Sequence, residues 1–229
     1  MIGKVISTAV KLFLRSQVTQ IEDLQLKITG RNRQIIQGCI PEVFLFCRHA
    51  VYRGLHLRQI ELKAVNIGFN IKEVLKRKPL QLVEPISVDI TLLLEAGDLQ
   101  ASLPSVLLSG GLKDFLYSLL SAKGIENPQE KLADYQIDWQ TITLAEQKIN
   151  LTGILKDSTS EVTQLKIAAG ITLANPHTLA LSPLEIVTIP PLPLDNCDRL
   201  EIDLGKSVAI AQLAVEDEKL LCAGQITVT

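Results

Sequence analysis

Aromatic residues make up only 4% of this 229-residue chain, so few rings are present on which exposed bases could stack. Histidine is rarer, with three copies, which leaves little equipment for acid–base chemistry. The four cysteines, Cys39, Cys47, Cys197 and Cys222, form no close C-x-x-C pair. They read as free, mostly buried thiols of a reducing compartment. No stretch reaches the roughly 18 consecutive apolar residues of a membrane-spanning helix. The apolar residues near the start are broken by Lys4, Lys11 and Arg15, which argues against an export signal. The expected location is therefore cytoplasmic, with the chain soluble or peripherally membrane-associated. Catalytic signatures are missing too: there is no G-x-S-x-G, no Walker A, no G-x-G-x-x-G after a strand and no H-E-x-x-H.

What is present is aliphatic and unevenly charged. Mean hydropathy is +0.24 and 47% of residues are hydrophobic, mostly Leu, Ile, Val and Ala. Residues 1–80 hold 14 Lys+Arg against 5 Asp+Glu, or +9, while residues 81–229 hold 9 against 20, or −11. The total of −2 thus conceals a dipolar chain. That imbalance, an overall pI near 6.0 and the shortage of rings speak against nucleic acid as a partner.

Periodicity divides the chain into four parts of one expected domain spanning 1–229. Residues 1–20 hold an amphipathic helix over 2–19, with Ile2, Val5, Ile6, Ala9 and Phe13 on one stripe and Lys4, Lys11 and Arg15 opposite. Residues 21–94 form a first β series, with strands near 23–29, 33–37, 42–52, 55–64, 65–71 and 86–94. The alternation slips between Ala64 and Val65, which requires a bulge or a tight strand change. Segment 42–52 is apolar on both phases, as in a strand covered on both sides. Residues 95–122 change to helical spacing, and two helices are expected around a break at Ser109-Gly110-Gly111. A charged loop over 123–134 leads to a second β series over 135–229, in which Pro190-Pro191-Leu192-Pro193 cannot lie in a central strand. The fold class is α+β.

The polar residues offer little reactive chemistry. Cys39, Cys47, His49 and His56 are close in sequence, yet their spacing matches no zinc module, so no metal is expected, and no cofactor. Asp89, Glu95, Asp98 and Asp114 have plainer roles, on the polar phase of a strand or at a helix start where carboxylates complement the dipole. No catalytic residue is assigned. The basic residues Arg31, Arg33, Arg48, Arg53, Arg58, Lys72, Lys76, Arg77 and Lys78 could fork onto phosphate or pair with the acidic second half.

The run GCIPEVFLFCRHAVYRGLHLRQIELKAVNIGFNI, the VLKRKPLQL segment, the VDITLLLEAGDLQASL step and the LLSGGLKDFL helix resemble the LmeA-like phospholipid-binding family. The resemblance is clearest over residues 20–120. It implies a fold related to tubular lipid-binding proteins, in which a long curved antiparallel sheet wraps one or more helices and leaves an apolar groove. It also implies phospholipid binding without catalysis. Exported relatives begin with a signal or anchor, and none is expected here, so an envelope role is not carried over. The family supplies no invariant site motif.

The site residues therefore come from the alternation and the charges. The expected acyl groove comprises Phe44, Phe46, Ile67, Phe69, Val88, Ile90, Leu92, Leu112, Phe115 and Leu116. The expected headgroup or membrane surface comprises Lys4, Lys11, Arg15, Arg53, Arg58, Lys76, Arg77 and Lys78. The expected partner is a phospholipid or other anionic amphiphile, with peripheral membrane contact and no named protein partner. Two other readings stay open: an interaction scaffold with a side-chain-filled core, and a weak hydrolase with an unrecognised carboxylate site.

Overall fold

The structure, a computed structural model, describes residues 18–71, 81–133, 135–157, 161–189 and 198–229. The amphipathic helix over 2–17, the basic run 72–78 and the proline crossing at 190–193 lie outside the described residues. Residues 18 and 19, expected to end that helix, belong instead to a short strand, β1 (Val18–Gln20).

The first β series runs as β2 (Asp23–Thr29), a short helix α1 (Asn32–Ile36), β3 (Cys39–Tyr52), β4 (Leu55–Gly68) and β5 (Ile86–Glu95). The strand expected over 33–37 is thus a helix. Local chemistry explains the change: the Arg31 N–H donates to the Gln34 side-chain oxygen at 3.0 Å, and Gly38 ends the turn at φ 83°. The strands expected over 55–64 and 65–71 are a single strand to Gly68. The bulge or strand change expected at Ala64–Val65 does not occur, since pairing to β3 keeps one register from the Cys39/Gly68 pair to the Tyr52/Leu55 pair; the alternation slips instead through Asn66, whose φ of 53° lets both Ala64 and Ile67 be buried. The β3–β4 hairpin turns on Arg53 (φ 49°) and Gly54 (φ 81°), two left-handed positions that match the strand twist.

Two helices follow, α2 (Ala96–Ser102) and α3 (Val106–Ala122), but they break at Leu103-Pro104-Ser105 and not at the glycines. Pro104 has no N–H with which to continue the helix, although Leu103 before it keeps helical angles (φ −50°, ψ −41°). Ser105 caps the new helix by accepting the Leu108 N–H at 3.1 Å. Gly110 and Gly111 sit inside α3, a cost of about 1 kcal/mol each relative to alanine that its packing offsets. Helix α4 (Pro128–Ala133) occupies part of the expected loop.

The second β series comprises β6 (Gln136–Ala145), β7 (Lys148–Lys156), β8 (Val162–Asn175), β9 (Thr178–Ile189), β10 (Leu200–Asp203), β11 (Val208–Glu216) and β12 (Lys219–Val228). These strands divide between two open antiparallel sheets. One has the order β10-β9-β8-β7-β6. The other has the order β1-β3-β4-β5-β12-β11, with β2 also on β3, so the final hairpin returns to pair with β5. The architecture is α+β, dominated by antiparallel sheet.

One continuous hydrophobic cluster joins both sheets through the helices. It unites Leu57 and Leu94 of the first sheet, Leu99 of α2, Leu116 and Leu119 of α3, and Leu151 and Leu165 of the second sheet. Leu119 and Leu165 are fully enclosed. A smaller cluster at the far end of the first sheet gathers Ile35 of α1 with Ile40, Ala64, Ile67, Phe69 and Val88.

Candidate functional site

Register fixes which side chains share a face, because directly paired residues of antiparallel strands point the same way. Three rows cross six strands on the core face of the first sheet. The first is Leu24, Cys47, Ile60, Leu92, Cys222 and Leu213. The second is Leu26, Leu45, Leu62, Ile90, Gly224 and Ile210, and the third is Ile28, Val43, Ala64, Val88, Ile226 and Val208. No row holds a charged residue.

Helices cover the two ends of this face unequally. The first row packs mostly into the large cluster and the third mostly into the small one, with Leu62 touching both. Ile90, between them, is half-buried and belongs to neither. Leu26, Leu62 and Ile210 in its row are likewise half-buried. An aliphatic strip thus lies partly uncovered at mid-sheet.

The opposite face is polar. Its rows read Gln25, Phe46, Glu61, Thr91, Ala223 and Gln212, then Lys27, Phe44, Lys63, Asp89, Gln225 and Ala209. Phe44 and Phe46 stand there among charged neighbours, and the Arg48 guanidinium lies 5.1 Å from the Phe46 ring centroid. One groove therefore does not contain these two phenylalanines together with Val88, Ile90 and Leu92. With both phases of 42–52 apolar, only pairing to β2 and β4 shows which phase faces the core. Of the other expected groove residues, Ile67, Phe69 and Val88 meet in the small cluster, while Leu112, Phe115 and Leu116 of α3 pack in the large one. The sequence reading omitted Leu26, Leu62, Cys222 and Ile210; the alternation of β2 and β4 signals the first two.

Two of the expected headgroup cations lie among the described residues. Arg53 is exposed at the hairpin tip, its guanidinium 5.4 Å from the Tyr52 ring centroid. Arg58 is engaged internally. It donates to Glu95 through Nη2 and to His49 Nε2 through Nη1 at 2.6 Å, and its Nε lies 3.4 Å from Asp98 Oδ2 without hydrogen-bond geometry. Arginine has only donors, so His49 Nε2 accepts and His49 Nδ1–H donates to Glu22 at 2.6 Å. This network fastens α2 to the hairpin. Beneath it, fully buried Ser102 donates to the Asp98 carbonyl at 2.6 Å and accepts the His56 N–H at 2.8 Å.

Among the described residues no three His, Cys, Asp or Glu side chains come together as a metal site. Cys39, Cys47 and Cys222 are free thiols. Burial pushes the Cys47 thiol above its ordinary range, with a smaller push from the Asp23 carboxylate; burial alone raises Cys222. Both are poor nucleophiles near neutral pH. Two shallow hollows, of about 380 and 400 Å³, lie against β6 and are lined by mixed polar and apolar groups. No described helix is long and apolar enough to cross a membrane.

An α+β protein of open antiparallel sheets, with a charge-free aliphatic face six strands wide, has the makings of an amphiphile-binding protein. The chain belongs to the LmeA-like phospholipid-binding family, whose model matches residues 1–225. No curated protein and no solved structure matches it at a significant level.

Proposed function

We propose that the protein binds a phospholipid or similar amphiphile with its acyl chains laid along the mid-sheet strip, and carries or holds it without breaking any bond. The observation that carries this reading is Ile90 with Ile210 of its row, half-buried aliphatic side chains that belong to neither cluster, beside Leu26 and Leu62, which are half-buried at the margin of the large one. Each acyl methylene removed from water contributes about 0.8 kcal/mol, so two chains supply affinity without specific polar contacts. Membership of a phospholipid-binding family supports the same ligand class. The headgroup would be met by cations of the first 80 residues, with Arg53 the free one among the described candidates and Lys76, Arg77 and Lys78 beyond them.

Gentle purification followed by organic extraction and mass spectrometry tests this reading. Phospholipid at near-stoichiometric amounts is expected; an empty protein that also takes up none from liposomes contradicts it. A second reading, a protein-interaction scaffold, is favoured by one observation: Leu116, Leu119 and Leu120 of α3 fill the space against the sheets. It predicts capture of a protein partner by lipid-free material.

A further inference from the structure

The first turn of α3 has an unusual composition for a helix end surrounded by water. Helix N-termini favour carboxylates, yet this turn has none. In their place Val106 is 82% and Leu107 38% exposed, next to exposed Pro104. The turn is also held in place. Ser105 is buried and caps it, and the β3–β4 hairpin leans on it so closely that a Cβ at Gly54 would lie 3.0 Å from the Ser105 Cβ.

That contact sets the hairpin tip carrying Arg53 against the start of α3. Arg53 rests on Tyr52 and has no carboxylate partner among the described residues. Helical spacing puts Val106, Gly110, Lys113 and Tyr117 on one stripe, with the Lys113 ammonium 5.7 Å from the Tyr117 ring centroid and Asp114 on the adjoining face. Across the turn lies the half-buried Trp139, the chain's single tryptophan, which lines one of the shallow hollows with Pro104, Leu103 and Asp138.

We propose that this corner docks on an anionic bilayer surface, with Val106 and Leu107 entering the headgroup layer. Exposed aliphatic groups gain by insertion, and Trp and Tyr favour the membrane–water boundary. Arg53, Lys113 and a helix start without carboxylates attract lipid phosphates. The inference rests on the phospholipid reading above, because a carrier has to meet a bilayer to load or unload.

Vesicle flotation of the full chain tests it, using phosphatidylcholine with one third phosphatidylglycerol and Trp139 emission as a second readout. The wild type is expected to float, and its emission to shift to the blue and be quenched by doxyl-labelled lipid. The double variant Val106→Asp, Leu107→Asp should lose about tenfold in binding, or about 1.4 kcal/mol. Arg53→Glu should weaken binding to anionic vesicles without lowering the melting temperature, so the test survives if the double variant fails to fold. Unchanged flotation in both variants, an unresponsive Trp139, or binding of a polypeptide with no vesicle binding overturns the docking inference. Co-purified lipid is measured separately: its presence with unchanged flotation in the variants refutes the docking surface alone, whereas its absence from the wild type refutes the phospholipid reading.

Discussion

Ile90 is the residue on which the account turns. It is opposed by Leu62 on one side and Gly224 on the other, in a row free of charge. Being only half-buried, it can be replaced by Arg at a stability cost of about 1 kcal/mol. The expected result for Ile90→Arg is loss of bound phospholipid with a folded circular-dichroism spectrum; retention of lipid would move the ligand elsewhere. Cys47 supports a prediction of opposite character. A thiol raised in the folded state contributes stability that is complete below its unfolded pKa and is lost as pH rises through the folded value. Urea midpoints should therefore fall as pH climbs above about 9, and Cys47→Ala should flatten that fall. An identical alkaline slope in both proteins would contradict the assignment.

At the scale of elements, α3 anchors the interior and the β3–β4 hairpin fixes the corner it leans on. Leu119 is fully enclosed, so Leu119→Ala should cost about 2–5 kcal/mol in chemical unfolding. Gly54→Ala forces a side chain into a left-handed position against Ser105 and should cost about 1 kcal/mol or more. A midpoint equal to wild type in either case would mean that the packing described is wrong.

Elements were legible where their signal was local. The alternation of 86–94 gave β5 nearly to the residue, and the slip at Ala64–Val65 lay next to the irregularity at Asn66, though that irregularity leaves the strand register unbroken. The helix break was misplaced because glycine pairs look like breakers, whereas the missing N–H of Pro104 and the cap at Ser105 decide it. The faces of β3 were not legible. A strand apolar on both phases reveals its inner side only through pairing, and that pairing separates Phe44 and Phe46 from Ile90.

Over the whole molecule, the return of the last hairpin is what makes the candidate site. β12 pairs with β5 along ten residues and adds Cys222, Gly224 and Ile226 to rows whose β5 members lie 130 to 138 residues earlier. No sequence pattern announces so distant a pairing, which is why Cys222 and Ile210 were missed. The charge asymmetry was plain in the sequence, but much of the positive end lies outside the described residues, and Arg58 is committed to Glu95 and His49.

Photo-crosslinking locates the ligand most directly. The protein would be loaded from vesicles with phosphatidylglycerol carrying a diazirine in one acyl chain, irradiated, digested and mapped by mass spectrometry. Adducts on the β4, β5 and β12 peptides containing Leu62, Ile90 and Cys222 are the predicted result. Adducts confined to the second sheet or the polar face around Phe44 and Phe46, or no adducts on a lipid-loaded protein, would contradict the account.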